Sequence, residues 1–134
     1  MELSGARLID LPVIPDVRGK LSFLQHPDHL PFIIRRTFWI YDVPGDGVRG
    51  GHAYHRQVEL IIALSGSFRV TVDNGYQETD YYLRRPDKGL LIPALTWRSM
   101  HDFSTNSLSL HLSDSRYDAS DYIRDYETYK ENIK

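Results

Sequence analysis

Residues 58–75, VELIIALSGSFRVTVDNG, restrict the fold more than any other stretch of the chain. Val58 to Ser65 form an apolar run closed by Gly66, and Ser67 to Asp73 then alternate apolar with polar. Alternation has the two-residue period of a strand with one wet face. Asn74-Gly75 after it predicts a hairpin, because both turn positions favour positive φ. Leu60 to Leu64 are apolar on both faces, which predicts a strand covered twice, by a second sheet or by a partner subunit.

The rest of the chain has the same texture. FIIRRTFWIYDV at 32–43 predicts a strand ending at Pro44-Gly45-Asp46-Gly47, and YQETDYYL, KGLLIPALTW and NSLSLHLSD add others. Only Ser120 to about Lys134 reads as helix, with Ser120 as N-cap and Asp121 near its positive end. Seven to nine short strands without repeat or linker predict one all-β domain over 1–134, a sandwich or barrel of the jelly-roll kind with a short C-terminal helix.

Composition narrows the function classes. The 134 residues carry a net charge of −2 and no basic block, which argues against nucleic acid as partner. No cysteine is present, so disulfides and thiolate zinc sites are excluded. No apolar stretch nears the roughly 18 residues of a membrane helix, and Met1 to Gly5 lack a signal-peptide core; a cytoplasmic location is expected. Nine Tyr, five Phe and two Trp favour strands and offer faces on which a planar ligand can stack.

The ionisable groups concentrate in RGGHAYHRQVE, residues 49–59. Strand parity puts His52 and Tyr54 on one face and His55 on the other, and Glu59 returns to the His52 face after Arg56 and Gln57. His52, Glu59 and Gly66 have the spacing of the first motif of the cupin superfamily, which this stretch resembles. Metal-binding cupins carry further histidines where this chain has Tyr54 and, five residues after Pro93, Arg98. A guanidinium stays protonated and repels a cation, so no metal is expected.

DVRGKL at 16–21, the segment 48–75, GLLIPALTWRSMHDFS at 89–104 and YDASDYIRDYETY at 117–129 occur in order. Together they resemble the sugar-nucleotide 3,4-ketoisomerases, cupins that convert dTDP-4-oxo-6-deoxyglucose to a 3-oxo sugar. The resemblance implies a double-stranded β-helix, a homodimer, no cofactor, and a dTDP-sugar in the barrel mouth. Members commonly read His-Ala-His where this chain has His52-Ala53-Tyr54, and Trp-His where it has Trp97-Arg98.

The reaction so implied is a tautomerisation through an enediol, in deoxysugar and polysaccharide biosynthesis. It needs a base near neutral pKa, a proton carrier and an oxyanion partner. His52 is the expected base and Tyr54 the proton donor, while Arg49 or Arg98 steadies the oxyanion. Arg18 and Arg49 suit the diphosphate, and Trp39 and Tyr41, alike in parity, suit sugar or thymine. Glu59 and His101 complete the expected substrate-binding set. Structural alternatives stand beside these roles: Arg98 as a bridge to Asp102 or Glu59, Tyr54 as a core phenol, and the Tyr117–Tyr129 tail as a helix over an open barrel edge. A related epimerase and a sugar-nucleotide-binding or regulatory cupin are the competing functions.

Overall fold

In the computed structural model, which describes residues 5–134, the apolar run becomes the middle strand of a sheet. The strands are β1 (Arg7–Asp10), β2 (Val13–Asp16), β3 (Gly19–Ser22), β4 (Arg36–Tyr41), β5 (Arg49–Tyr54), β6 (Glu59–Ser65), β7 (Phe68–Asp73), β8 (Glu78–Leu83), β9 (Lys88–Ile92), β10 (Trp97–His101), β11 (Leu108–Ser113) and β12 (Tyr122–Ile123). Helix α1 spans Tyr126–Asn132. One sheet has the order β1-β9-β6-β11-β4 and the other β12-β5-β10-β7-β8, while β2 and β3 pair only with each other. This is a cupin-like jelly roll.

β6 explains why the chain needs an unbroken apolar run. Ile61 and Ala63 point between the sheets, into a core with Phe68, Val70, Leu90, Ile92, Met100 and Phe103. Leu60 and Ile62 point the other way, against Leu11, Leu30, Phe32, Leu91 and Leu112. The second cover is therefore the chain's own segment around Leu30 and Phe32. Leu64, one residue beyond, is left 42% exposed.

Several expectations need correction. The strand expected over 32–43 is only β4; Phe32 has turned into the outer core, and the Arg35 amide donates to the Ser113 carbonyl. At Asn74-Gly75 the expected hairpin forms, β7 pairing antiparallel with β8, but through a four-residue loop joining Asp73 to Glu78. Only Gly75 has positive φ there. The Asn74 side-chain oxygen accepts from the amides of Tyr76 and Gln77, which widens the turn. β1, β2 and β3 have no counterpart among the strands expected, because four-residue strands that stay largely exposed show little periodicity.

The tail is not one helix from Ser120. Asp118 caps a 3₁₀ turn, Ala119–Asp121, and Asp125 caps α1 through its bond to the Thr128 amide. Between them Tyr122 and Ile123 pair with Tyr54 and Ala53 as β12. The edge of β5 is thus covered by a strand, whose ladder satisfies backbone groups that a helix would leave open. α1 then seats Tyr129 beneath Trp97, with Tyr126 donating to Asp73 at 2.6 Å.

Asp121 locks this arrangement. Its side chain is fully buried and accepts from the Arg56 and Gln57 amides at 3.1 Å, while its carbonyl accepts from the His55 amide. Asp121→Ala strands those amides, and unfolding in urea should show a loss of about 1–3 kcal/mol. An unchanged midpoint would show that the lock does not matter.

Candidate functional site

The open end of the jelly roll holds a cavity of about 430 Å³ whose wall includes His52, Tyr54, Glu59, Arg98, His111 and Tyr122. Arg49, at the start of β5, and Arg124, in the loop between β12 and α1, line it too, and both are exposed. Local backbone geometry aims the key side chain. Arg98 opposes His52 while Ser99 opposes Gly50, so Gly51 is an extra residue in β5. Such a bulge bends the strand and redirects its side chains. Gly50 (φ 91) must be glycine, because a Cβ would meet the Ser99 Cα at 3.0 Å.

The cavity floor is a chain of buried polar groups. Arg98, 1% exposed, donates from Nη1 to Glu59 Oε1 at 2.5 Å and from Nε and Nη2 to the Thr96 carbonyl. The other Glu59 oxygen lies 3.1 Å from His111 Nδ1, and His111 Nε2 lies 3.0 Å from Ser109 Oγ. Phe38 stacks on the imidazole of His111 at 4.4 Å. Burial alone would raise the pKa of Glu59; His111 and Arg98 reverse this and hold it down at about 2. Of the two bridges open to Arg98, the structure forms the one to Glu59, and Asp102 instead accepts from Arg69.

His52 stands above this floor. Its Nε2 is buried and has no hydrogen-bond partner among the described residues. Burial, then the charge of Arg98, lower its pKa from near neutrality to about 4, against the opposing pull of Glu59 and a backbone bond at Gly50. At neutral pH it is therefore an uncharged imidazole with a free nitrogen. Tyr54 packs edge-on against it at 4.9 Å and donates to the Tyr122 hydroxyl at 3.4 Å. Burial, then the Glu59 charge, push the Tyr54 phenol far above its ordinary range. The Arg98 guanidinium lies 4.9 Å from the Tyr54 ring centre.

Of the residues expected at a site, the cavity brings together His52, Tyr54, Glu59, Arg98 and Arg49. Four others stand outside it. Trp39 and Tyr41 are more than half exposed, because the cavity face of β4 belongs to Phe38 and Ile40. His101 shares the outer face of β10 with Ser99, to which it bonds at 2.7 Å, while Arg98 and Met100 face inward. Arg18 sits at the β2–β3 turn and pairs with Asp16 at 2.7 Å. Tyr122 and Arg124 were not expected; reading the tail as helix concealed the two-residue parity that puts both on the cavity side. His111 carried no signal in sequence beyond being a histidine in an alternating strand.

Among the described residues no three His, Asp or Glu side chains are grouped to hold a metal ion. Both oxygens of Glu59, the nearest carboxylate to His52 in the cavity wall, are already engaged.

Comparison with known proteins gives a consistent result. A family model described as FdtA, WxcM-like, C-terminal, matches residues 4–134. The TDP-4-oxo-6-deoxy-alpha-D-glucose-3,4-oxoisomerase of Aneurinibacillus thermoaerophilus is 35% identical over 127 residues, 95% of this chain and 91% of that protein. The crystal structure of QdtA, a sugar 3,4-ketoisomerase from Thermoanaerobacterium thermosaccharolyticum in complex with TDP, superposes with a TM-score of 0.95 at 32% identity, covering 98% of this chain and 96% of that one. The TDP-quinovose 3,4-ketoisomerase WlaRB from Campylobacter jejuni gives 0.93 at 34% identity, over 97% of this chain and 100% of that one.

The electrostatics of His52 can be measured directly. Its ring signals, assigned by their loss in His52→Asn, should titrate by NMR near pH 4. Arg124→Gln removes a cation that helps depress the pKa, so the titration should move upward. A ring that titrates at its ordinary value in the parent protein would contradict the site as described.

Proposed function

The chain belongs to the family described as FdtA, WxcM-like, C-terminal, and from that membership and its cavity we propose that it converts a TDP-linked 4-oxo-6-deoxyhexose to the 3-oxo sugar through an enediol. The observation that carries the assignment of roles is the uncharged imidazole of His52 in the cavity wall beside Arg98, with its Nε2 buried and without a hydrogen-bond partner among the described residues.

The C3 proton, acidified by the neighbouring C4 carbonyl, goes to His52 Nε2. Negative charge develops on O4, and Arg98 provides fixed positive charge for it. His52 then delivers its proton to C4. The low pKa makes His52 a mild base, but one that is uncharged in essentially every molecule at neutral pH. Arg49 and Arg124 at the mouth offer paired donors to the diphosphate. Glu59 keeps the Arg98 fork in place and keeps the floor from becoming purely cationic.

The same reading includes a homodimer. Leu64, Ile34 and Phe23 are exposed on the outer side of the β6 sheet, where they border an apolar groove of about 390 Å³ with Leu24, Ile62 and Leu110. The β2–β3 hairpin beside it leaves Val13, Ile14, Val17 and Leu21 exposed as well. So much apolar surface in one region suits an interface.

Two experiments test this reading. In deuterated water with TDP-4-oxo-6-deoxyglucose, the protein should give a 3-oxo sugar carrying solvent deuterium. His52→Asn should abolish turnover while TDP binding persists, since the base acts in the transition state. Inversion at C3 or C5 without a 3-oxo product would indicate an epimerase. Tight binding with neither exchange nor product would indicate a regulatory cupin. For the dimer, light scattering should give twice the chain mass, and Leu64→Glu should shift it toward monomer; a monomeric parent would remove the dimer from the reading.

A further inference from the structure

Isomerisation moves two kinds of hydrogen. One travels from C3 to C4 and is the task of His52. The other is bound to oxygen: O3 begins as a hydroxyl and ends as a carbonyl, and O4 does the reverse. Once Nε2 holds the C3 proton it has no lone pair left for the second transfer, so another carrier is required.

The cavity leaves few candidates. Arg49, Arg98 and Arg124 keep their protons. Glu59 is engaged on both oxygens, and both ring nitrogens of His111 are occupied by Glu59 and Ser109. The remaining pair is Tyr54 and Tyr122, whose hydroxyls share a hydrogen bond at 3.4 Å and whose rings each lie about 5 Å from that of His52, at 4.9 and 5.1 Å. From this juxtaposition we propose that Tyr54 and Tyr122 form a two-phenol exchanger that carries the hydroxyl proton from O3 to O4, which makes Tyr122 a catalytic residue.

The steps balance. As the C3–H bond breaks toward His52, its electrons form the C3–C4 double bond, and the carbonyl π electrons move to O4. O4 takes the Tyr54 proton. With its hydroxyl turned from Tyr122 to O4, Tyr54 then accepts a proton from Tyr122, the reverse of the sense of their hydrogen bond at rest. Tyr122 then takes the O3 proton as C3 becomes the carbonyl, and the double-bond electrons take the proton from His52 at C4. Both phenols and the imidazole end as they began, and nothing is oxidised or reduced. Both phenols have a cation against them, but Arg98 beside Tyr54 is already paired with Glu59, whereas Arg124 holds its guanidinium 4.2 Å from the Tyr122 ring centre, so the transient negative charge is better placed on Tyr122. Tyr122 is half-buried, whereas Tyr54 is 1% exposed.

This inference rests on the isomerase reading, and its test separates the two. With TDP-4-oxo-6-deoxyglucose in deuterated water, Tyr122→Phe should lower 3-oxo product formation at least about tenfold, the lower range of general acid–base contributions being about 10². Deuterium exchange at C3 of recovered substrate, which needs His52 and a stabilised enolate, should fall much less, so the ratio of exchange to product rises. Tyr54→Phe should behave alike, and TDP binding reports that each variant is folded. Equal loss of exchange and product, or no loss, overturns the proposal. A parent protein that neither exchanges nor isomerises removes the reading beneath it instead. Should Tyr122→Phe fail to fold, a ring-fluorinated tyrosine at 122 keeps the hydroxyl and the packing but lowers the phenol pKa. It should change the ratio of deuterium exchange to 3-oxo product while TDP binding persists, and an unmoved ratio counts against the exchanger.

Discussion

The buried contact of Arg98 with Glu59 decides how this jelly roll is built. Arg98 comes from β10 in one sheet and Glu59 from β6 in the other, so the pair ties the sheets together across the interior. Removing both charges from water is expensive, and a single unpaired survivor would cost about 3–5 kcal/mol. The other Glu59 oxygen is met by His111, which Ser109 holds at its second nitrogen, and the remaining Arg98 donors are met by the Thr96 carbonyl. The sheets close on Val70 and Phe103, while Ile61 and Met100 belong both to this core and to the cavity wall. The ion pair thus lies where packed core gives way to cavity.

That boundary also explains where the functional groups stand. β5 is bent by the bulge at Gly51, which turns His52 toward Arg98 rather than along the strand. Its free edge is closed by β12, and this pairing brings the Tyr122 hydroxyl to that of Tyr54. β12 in turn is held by Asp121, whose side chain accepts from the loop leaving β5. Positions from 49 to 124 are thus linked by a few buried hydrogen bonds around one opening.

The fold was legible because the run at Leu60–Leu64 and the alternation at Phe68–Val72 both read as strands, although what covers the outer face of the first was left open and proved to be the chain's own segment around Leu30 and Phe32. The centre of the site was legible for the same reason: strand parity alone joins His52 to Tyr54, and cupin spacing adds Glu59. Parity misled where the choice of face was open. Trp39 and Tyr41 do share a face, but it is the outer one, and nothing in the sequence distinguishes the two faces of a strand that is aromatic at Phe38, Trp39 and Tyr41 alike. Tyr122 and Arg124 were hidden for another reason. Tyr122 belongs to a two-residue strand between two aspartate caps, and helix propensity over that tail outweighs so short a signal. The Glu59–His111 contact joins residues 52 positions apart and has no local signature at all.

The arrangement has an electrostatic consequence for catalysis. Three guanidiniums, Arg49, Arg98 and Arg124, face the cavity against one carboxylate, Glu59. Two of them, Arg98 and Arg124, are part of why His52 stays unprotonated, against the opposing pull of Glu59. On the proposed reading, a nucleotide diphosphate at the same opening would offset the guanidiniums and, by the same Coulombic logic, raise the proton affinity of His52. The proposed base would then be stronger with its substrate bound, while burial and Arg98 hold its pKa down beforehand.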